Sequence, residues 1–578
     1  MQDESKNLIL ATALSFLVIL VWFVLFPPQE PVQTTPEAAL TAPTSDELGL
    51  PPGATVDPAT QPASLQPRAA ALEEAPRVAI ETPRLSGSLS LAGGRIDDLH
   101  LVDYFETLAQ EETVTLLSPA GTSNAYYALH GWAPTVDLGF DQVPNPSTPW
   151  ELEAGETLTP STPVTLRWDN GAGLIFRKTI AVDENYMFDV TQSIENTTTE
   201  AVRLAPYGII ARHGEPDTVG FYILHEGVVR AQDGEITELN YGDLPDLEFN
   251  QAERGNIEKI EVAEGGWIGF TDKYWMTTLV PPAGQGFTSV TKYTPTADTY
   301  QTETRMPTVT VAAGATTEHT TSLFAGAKEE KTIQFYEDNR GIDRFVDSID
   351  WGWFWMLTKP IHWALVFFYD LIGNMGWAII CLTLVIKIIL LPLAYKSFVS
   401  MSKMKALQPQ MEELKERAGD DREKLQKGMM ELYKKEKVNP ASGCLPILVQ
   451  IPIFFSLYKV LFVAIEVRHE PFIGWIEDLS APDPTSFLNL FGLLPYATPG
   501  PESIFAIFSI GVWPILMGIT MWLQQKLNPA PTDPTQAAVF AWLPFVFMFM
   551  LGTFASGLVI YWVANNSITF VQQYLIMR

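Results

Sequence analysis

The chain has 578 residues and a formal net charge of −30, enough length for more than one domain. The charge is segregated: acidic residues dominate from Glu30 to Asp350, and basic residues collect from Lys396 to Lys437. That division suits a membrane protein with one exported domain and one cytoplasmic loop, and it excludes the basic folded surface of a nucleic-acid binder. The two cysteines, Cys381 and Cys444, lie in or beside apolar segments and offer neither a disulfide framework nor a zinc site. No G-x-x-x-x-G-K-[ST] loop is present to cradle nucleotide phosphates.

Residues 8–26 (LILATALSFLVILVWFVLF) form an apolar run of spanning length. It is longer than the apolar core of a signal peptide, and Pro27 and Pro28 follow where a small-x-small cleavage site belongs. Residues 1–26 therefore read as an uncleaved transmembrane anchor with a cytoplasmic N-terminus, in preference to a signal peptide. Residues 27–77 are rich in Pro, Ala, Thr and Glu and lack a hydrophobic period, so they read as a disordered, extended tether.

From 78 to 335 the pattern becomes one of short alternating runs. Val164, Leu166 and Trp168 share one face, as do Phe188, Val190 and Ile194, and then Val309 and Val311. Asp169-Asn170-Gly171 is a turn signal between them. Such runs predict a large antiparallel β-sandwich, exported because it is acidic and follows the anchor. His213 with Glu215 and His225 with Glu226 are the His/carboxylate pairs worth weighing. Lacking a third convergent ligand, they read as surface histidines on connecting loops in preference to a metal or acid–base site.

Residues 336–371 form a connector containing Trp351, Trp353, Trp355 and Trp363, the composition of a headgroup belt. The run WFWMLTKPIHWALVFFYDLI reads as an interfacial amphipathic helix on the outer surface, bent at Pro360, in preference to a core helix. Residues 372–578 hold five predicted spans, at 374–393, 444–465, 504–523, 539–554 and 558–576. With the anchor they make six transmembrane helices, both termini cytoplasmic. The 539–554 span, roughly 24 Å of helix, is short for a hydrocarbon core of about 30 Å. Ser556-Gly557 reads as a tight outer turn, and Arg578 closes the chain inside. Residues 397–439 read as a helical hairpin that turns at Gly419-Asp420-Asp421 and ends at Asn439-Pro440. Lys403, Lys405 and Arg417 place it in the cytoplasm. Met404, Met411 and Met430, with Met401 and Met429, offer either an adaptable docking face or simply the hairpin's interior.

Lys387 lies well inside the 374–393 run. A basic side chain near the bilayer centre costs about 2.5–3.5 kcal/mol on insertion scales. Two readings compete: its stem snorkels past Pro392 to the headgroups, or it faces a wet groove within a helical bundle.

Four stretches carry a resemblance: MSKMKALQPQMEELKERAGDD, MMELYKKEKVNPASGCLPILVQIPIFFSLYKVL, PFIGWIEDLSAPDP and SGLVIYWVANNSITFVQQYLI. In order and spacing, over residues 351–578, the sequence resembles the YidC/Oxa/Alb family of membrane protein insertases. The acidic domain resembles, more weakly, the exported domain of Gram-negative members, a β-super-sandwich similar to sugar mutarotases. A shared fold does not transfer their chemistry.

The resemblance implies a polytopic α-helical protein of the bacterial inner membrane with a large periplasmic antiparallel β-super-sandwich, and neither catalysis nor a cofactor. It implies a hydrophilic groove, open to cytoplasm and lipid, with a positive charge at Lys387 and with Thr383 and Gln450 in its lining. Trp562 falls where relatives present an aromatic residue to the nascent chain. Family members usually carry arginine at the Lys387 position; lysine keeps the charge without the bidentate fork. Asn565 and Asn566 share the last span, with no facing assigned. The implied function is insertion and folding of nascent inner-membrane proteins, alone or with the Sec translocon. The hairpin (Lys403, Lys405, Met404, Met411, Arg417 and Met430) would receive the substrate and the ribosome. Signal recognition particle or its receptor is a further candidate partner, membrane lipids are implied, and no nucleic-acid specificity is. A secondary transporter with Lys387 in its substrate path would instead show repeated halves with broken helices, and no internal repeat is detectable. An anchored envelope enzyme would need catalytic residues in the β-domain.

Overall fold

The structure, a computed structural model, describes residues 65–577 apart from 136–137, 219, 221–223, 420, 437–444, 497, 500–502, 504–507 and 529–533. The expected anchor, the first part of the tether, Asp420 of the hairpin turn, Asn439-Pro440, Cys444, the start of the 504–523 span and Arg578 lie outside the described residues.

The last part of the predicted tether is not extended. It forms a short helix, α1 (Arg68–Glu73), with Ala71 buried. The Arg68 guanidinium pairs with Asp98 and donates to the Leu117 carbonyl at 3.1 Å. One ion pair and one buried alanine supply the anchorage that the composition did not reveal.

Among the described residues, twenty-one strands between Arg77 and Ala327 build two sheets, of twelve and nine strands. Among these described strands every pairing is antiparallel except that of Arg77–Glu81 with Thr157–Leu158. The alternation seen in the sequence is the register of the core. Leu174–Val182 buries every second side chain, and Phe188, Val190 and Ile194 of the paired strand Met187–Asn196 are fully buried. Trp132, Trp267, Phe176 and Phe270 fill the space between the sheets. At the Asp169-Asn170-Gly171 turn, Gly171 takes φ +68° and the Asn170 side chain accepts from the N–H of Ala172 and Leu174. Glycine suits that left-handed position because a Cβ would be strained there.

Helix α2 (Glu330–Arg340) leaves the last strand and ends at Gly341 (φ +67°). Trp351, expected in a headgroup belt, is instead buried in the sandwich core, its indole N–H donating to the Val346 carbonyl at 2.9 Å. Helix α3 (Trp355–Ile372) continues through Pro360. Thr358, Ile361, His362, Leu365 and Val366 are its buried face, while Trp355, Met356, Trp363, Phe367 and Leu371 stand exposed. Trp353, just before it, is 98% exposed.

The predicted 374–393 span is divided. α4 (Met375–Ile389) and α5 (Leu391–Ala406) meet at a 67° bend. Pro392 lacks an N–H and sits in the first turn of α5, where that donor has no helical partner anyway, so the chain restarts there in a new direction. The hairpin is narrower than 397–439: it consists of α6 (Gln408–Ala418) and α7 (Arg422–Lys435). Leu407, Met411 and Leu432 are buried between them with Met404, Leu414 and Met429 around, and the Asp421 carboxylate caps Lys424 N–H.

After α8 (Leu445–Val463) come short 3₁₀ turns at Ile465–Val467 and Phe487–Asn489, then α9 (Val512–Leu527), α10 (Pro534–Met550) and α11 (Ser556–Met577). α9 begins later than the predicted 504. Its first amides are held by distant groups: Val512 N–H by Thr485 Oγ1 at 3.0 Å and Trp513 N–H by Asp483 Oδ2 at 2.9 Å. Ser556-Gly557 is not a turn but the first turn of α11, its N–H groups donating to the carbonyls of Ala481 (2.7 Å) and Leu479 (2.9 Å). No single helix among the described residues is long and apolar enough to cross a membrane; the bent pair α4–α5 reaches that length and apolar content only when taken together.

The helices and the sandwich share packing. Val463 and Ile465 join the sandwich core, Lys459 Nζ meets Asp350 Oδ2 at 2.5 Å, and Arg468 lies 5.4 Å over the Trp275 ring.

Candidate functional site

α4, α8 and α11 bring Lys387, Gln450 and Tyr561 together. Lys387 Nζ donates to Gln450 Oε1 at 3.1 Å, and Gln450 Nε2 donates to the Tyr561 hydroxyl at 2.8 Å. Lys387 is half-buried, and no carboxylate among the described residues pairs with it. A cation kept in such surroundings by one neutral amide retains most of its capacity to attract an anion.

Toward Ser556 the bundle is closed by apolar packing: Met375, Ile379, Leu382, Leu457, Tyr458, Leu461 and Leu558. Toward Met577 its character changes. Trp562, Asn565, Asn566, Thr569, Gln572 and Gln573 recur at helical spacing and make one stripe along α11. Asn565, Asn566, Thr569 and Gln573 are buried. Asn566 reaches Thr520 of α9 at 3.5 Å, Gln573 donates to Asn528 at 2.8 Å, and Gln572 lies 3.5 Å from the Lys387 carbonyl. Asn565 Oδ1, Gln573 Oε1, Trp562 Nε1 and Ser456 Oγ are buried without a partner among the described residues, and so are Trp513 Nε1 and Ser556 Oγ toward the other end. Each unsatisfied buried polar atom costs about 1–3 kcal/mol, and proteins ordinarily meet that cost with ordered water. Six such atoms in one helical bundle are positions that ordered water would satisfy.

The other predicted residues fall differently. Trp562 packs against Phe454, ring centroids 4.9 Å apart. Thr383 is buried, and its hydroxyl donates to the Ile379 carbonyl at 2.7 Å, so it is engaged within its own helix. The hairpin residues form a separate group: Lys403, Lys405, Arg417 and Met430 are exposed, Arg417 meets Glu413 at 3.3 Å, and Met411 is interior. Tyr561 and the buried asparagines were not assigned from sequence, although the 562–566–569–573 spacing of polar residues was there to be read.

In the sandwich, the two histidines fall in different settings. His225 is buried, contrary to its reading as a surface residue, with Nε2 2.9 Å from the Val228 carbonyl and Nδ1 3.2 Å from Asn240 Oδ1. His213 ends a strand 3.3 Å from the Tyr127 hydroxyl, and burial lowers its pKa to about 4. Among the described residues, no three His, Cys, Asp or Glu side chains gather to hold a metal.

Two family models match the chain: the YidC periplasmic domain over residues 77–364 and the 60Kd inner membrane protein over residues 367–578. The chain belongs to the YidC family. The chain is 63% identical to the membrane protein insertase YidC of Dinoroseobacter shibae, across 100% of this chain and 96% of that one. It is 59% identical to the YidC of a Jannaschia species, with the same coverage. A solved structure of an active YidC insertase with its first transmembrane domain resolved covers 86% of this chain and 92% of its own, at 16% identity and a TM-score of 0.36. The two YidC family matches adjoin between residues 364 and 367, inside α3.

Proposed function

We propose that this chain inserts and helps fold nascent inner-membrane proteins by way of a hydrated intramembrane groove whose positive charge is Lys387. Membership of the insertase family supports the activity. The observation that carries the groove is the Lys387–Gln450–Tyr561 chain of hydrogen bonds, continued by buried polar atoms without partners on α11. Gln450 and Trp562 line this groove, and Thr383 closes its apolar end.

A nascent apolar segment gains about 25 cal/mol per Å² of surface it buries, so it needs no fuel. The barrier is carrying a polar tail through hydrocarbon. Lys387 attracts an acidic tail part-way across, and the hydrated stripe on α11 shortens the dry distance. α10, 17 residues or roughly 26 Å, favours a locally thin bilayer.

In this reading the chain crosses the membrane six times with both termini cytoplasmic, its sandwich periplasmic and α3 lying in the outer interface. The exposed Trp355, Trp363, Phe367 and Leu371 support that position for α3. The exposed basic residues of α5 and α6 suit docking of the ribosome, and the Sec translocon and signal recognition particle or its receptor remain proposed partners.

The test is insertion of a single-span substrate with an acidic tail by Lys387→Ala, Lys387→Glu and Lys387→Arg variants. Loss in the first two and retention in the third is expected. Full insertion by the Ala and Glu variants would remove Lys387 from the mechanism.

A further inference from the structure

Between α8 and α9 the chain from Pro484 to Pro501 carries no charged residue. Within it, residues 486–496 make a compact projection. Phe487, Leu490, Phe491, Leu493, Leu494 and Tyr496 are all exposed, Leu493 at 83%. Apolar side chains gathered on one exposed tip are seldom left to water. The backbone that presents them is itself unusual: Leu490 (φ +49°), Phe491 (φ +58°) and Gly492 (φ +92°) are consecutive left-handed residues. Bulky side chains resist that conformation, so the fold here holds them outward against local preference.

Most of the projection's backbone donors are engaged. Leu488 N–H donates to Ser486 Oγ, Leu490 N–H to the Phe487 carbonyl, and Phe491 N–H to the Ser486 carbonyl. Gly492 and Leu494 N–H both reach the Asn489 carbonyl, and Leu493 N–H reaches that of Leu490. Only a backbone with its donors engaged can enter hydrocarbon without a large cost. The base is fixed beside the start of α9: Phe487 N–H donates to the Ile510 carbonyl at 2.9 Å. Asp483 ties the loop to Trp475 Nε1 (3.1 Å) and to Trp513 N–H. Trp475 and Tyr496, half in and half out, have the amphipathic rings found at the headgroup level.

We propose that residues 486–496 are a membrane-dipping anchor, whose apolar tip lies in the outer leaflet of the bilayer beside α9. The absence of charge, the engaged backbone donors and the junction with a spanning helix choose lipid over a protein partner, whose docking surface would ordinarily carry polar specificity at its rim. The proposal rests on the six-span topology above. The anchor holds the outer end of α9 at a set depth, opposite the hydrated end of the groove.

The test uses the full chain in lipid nanodiscs, with Cys381 and Cys444 replaced by serine and an environment-sensitive fluorophore on Leu493→Cys or, separately, on Leu490→Cys. Blue-shifted emission is expected, with a larger loss of signal to lipids spin-labelled near the headgroup than to a water-soluble quencher. Water-like emission at both positions overturns the anchor. Blue-shifted emission indifferent to the lipid quencher also overturns it, because a second copy or a nascent chain then covers the tip. An Glu477→Cys variant labelled by a membrane-impermeant maleimide from the outer side checks the topology independently. Labelling only from the inside would overturn the orientation while leaving the quenching result to judge lipid contact.

Discussion

Lys387 has a single side-chain partner among the described residues, Gln450, which Tyr561 holds in turn. A hydrogen bond to a charged group contributes about 1.5–3 kcal/mol, and each 1.4 kcal/mol is roughly tenfold. Gln450→Leu is therefore expected to lower insertion of acidic-tailed substrates by about tenfold, and Tyr561→Phe, which removes a neutral bond, by a smaller factor. Equal insertion by both variants and the wild type would reduce this chain of bonds to packing. The sequence exposed Lys387 and Gln450 because polar residues in apolar runs are conspicuous. It concealed Tyr561, since a tyrosine in a span reads equally well as a belt or a core residue. For Thr383 the resemblance implies a lining role, while its hydroxyl bonds the carbonyl one turn back, as a buried helical threonine commonly does.

Elements were legible to the extent that their determinants are local. Strand alternation in 164–168 and 188–194 translated into the sandwich because a two-residue period is a property of neighbours. The start of α9 was not legible, because its cap is Asp483, far back in the chain. Likewise the first amides of α11 depend on carbonyls at Leu479 and Ala481, so Ser556-Gly557 mimicked a turn. Asp483 Oδ1 accepts from Trp475 Nε1, Thr485 N–H and the Thr485 hydroxyl, and Oδ2 accepts from Trp513 N–H. Asp483→Ala strips all four. The expected cost is about 1–3 kcal/mol, seen as a lower thermal midpoint in nanodiscs and new protease cleavage within 484–511. Asp483→Asn keeps one acceptor and should fall between. An unchanged midpoint for the Ala variant would show that α9 is set by packing alone.

For the molecule as a whole, the acidic sandwich and the helices are joined by a shared core and by the Lys459–Asp350 pair. No sequence pattern announced either, because both depend on residues brought together by the fold. The same holds for the charges inside the sandwich. Glu253 is nearly buried yet meets Arg305 Nη1 at 2.7 Å and Lys259 Nζ at 3.0 Å, with Lys292 Nζ at 3.8 Å. Burial pushes its carboxyl up, but Arg305 and Lys259 outweigh burial and hold it at about 2, below the ordinary 4.5. Asp98 is held at about 2 against burial by His100, Ser88 and Arg68. In the unfolded chain both groups take up protons nearer pH 4, so between there and about 2 the unfolded state binds more protons than the folded one. Stability from these carboxylates is therefore complete above pH 4.5 and is lost as pH falls toward 2, with a contribution from Glu253 on the order of 3 kcal/mol. Glu253→Gln should lower the unfolding midpoint at pH 7, since it leaves Arg305 and Lys292 with less compensation. It should also flatten the acid limb, because the variant has one fewer proton to gain. Unfolding followed from pH 7 to pH 3 in the full chain reads both effects together. A variant that is destabilised at pH 7 but keeps the wild-type acid slope would assign the acid sensitivity to Asp98 and leave Glu253 a purely structural charge.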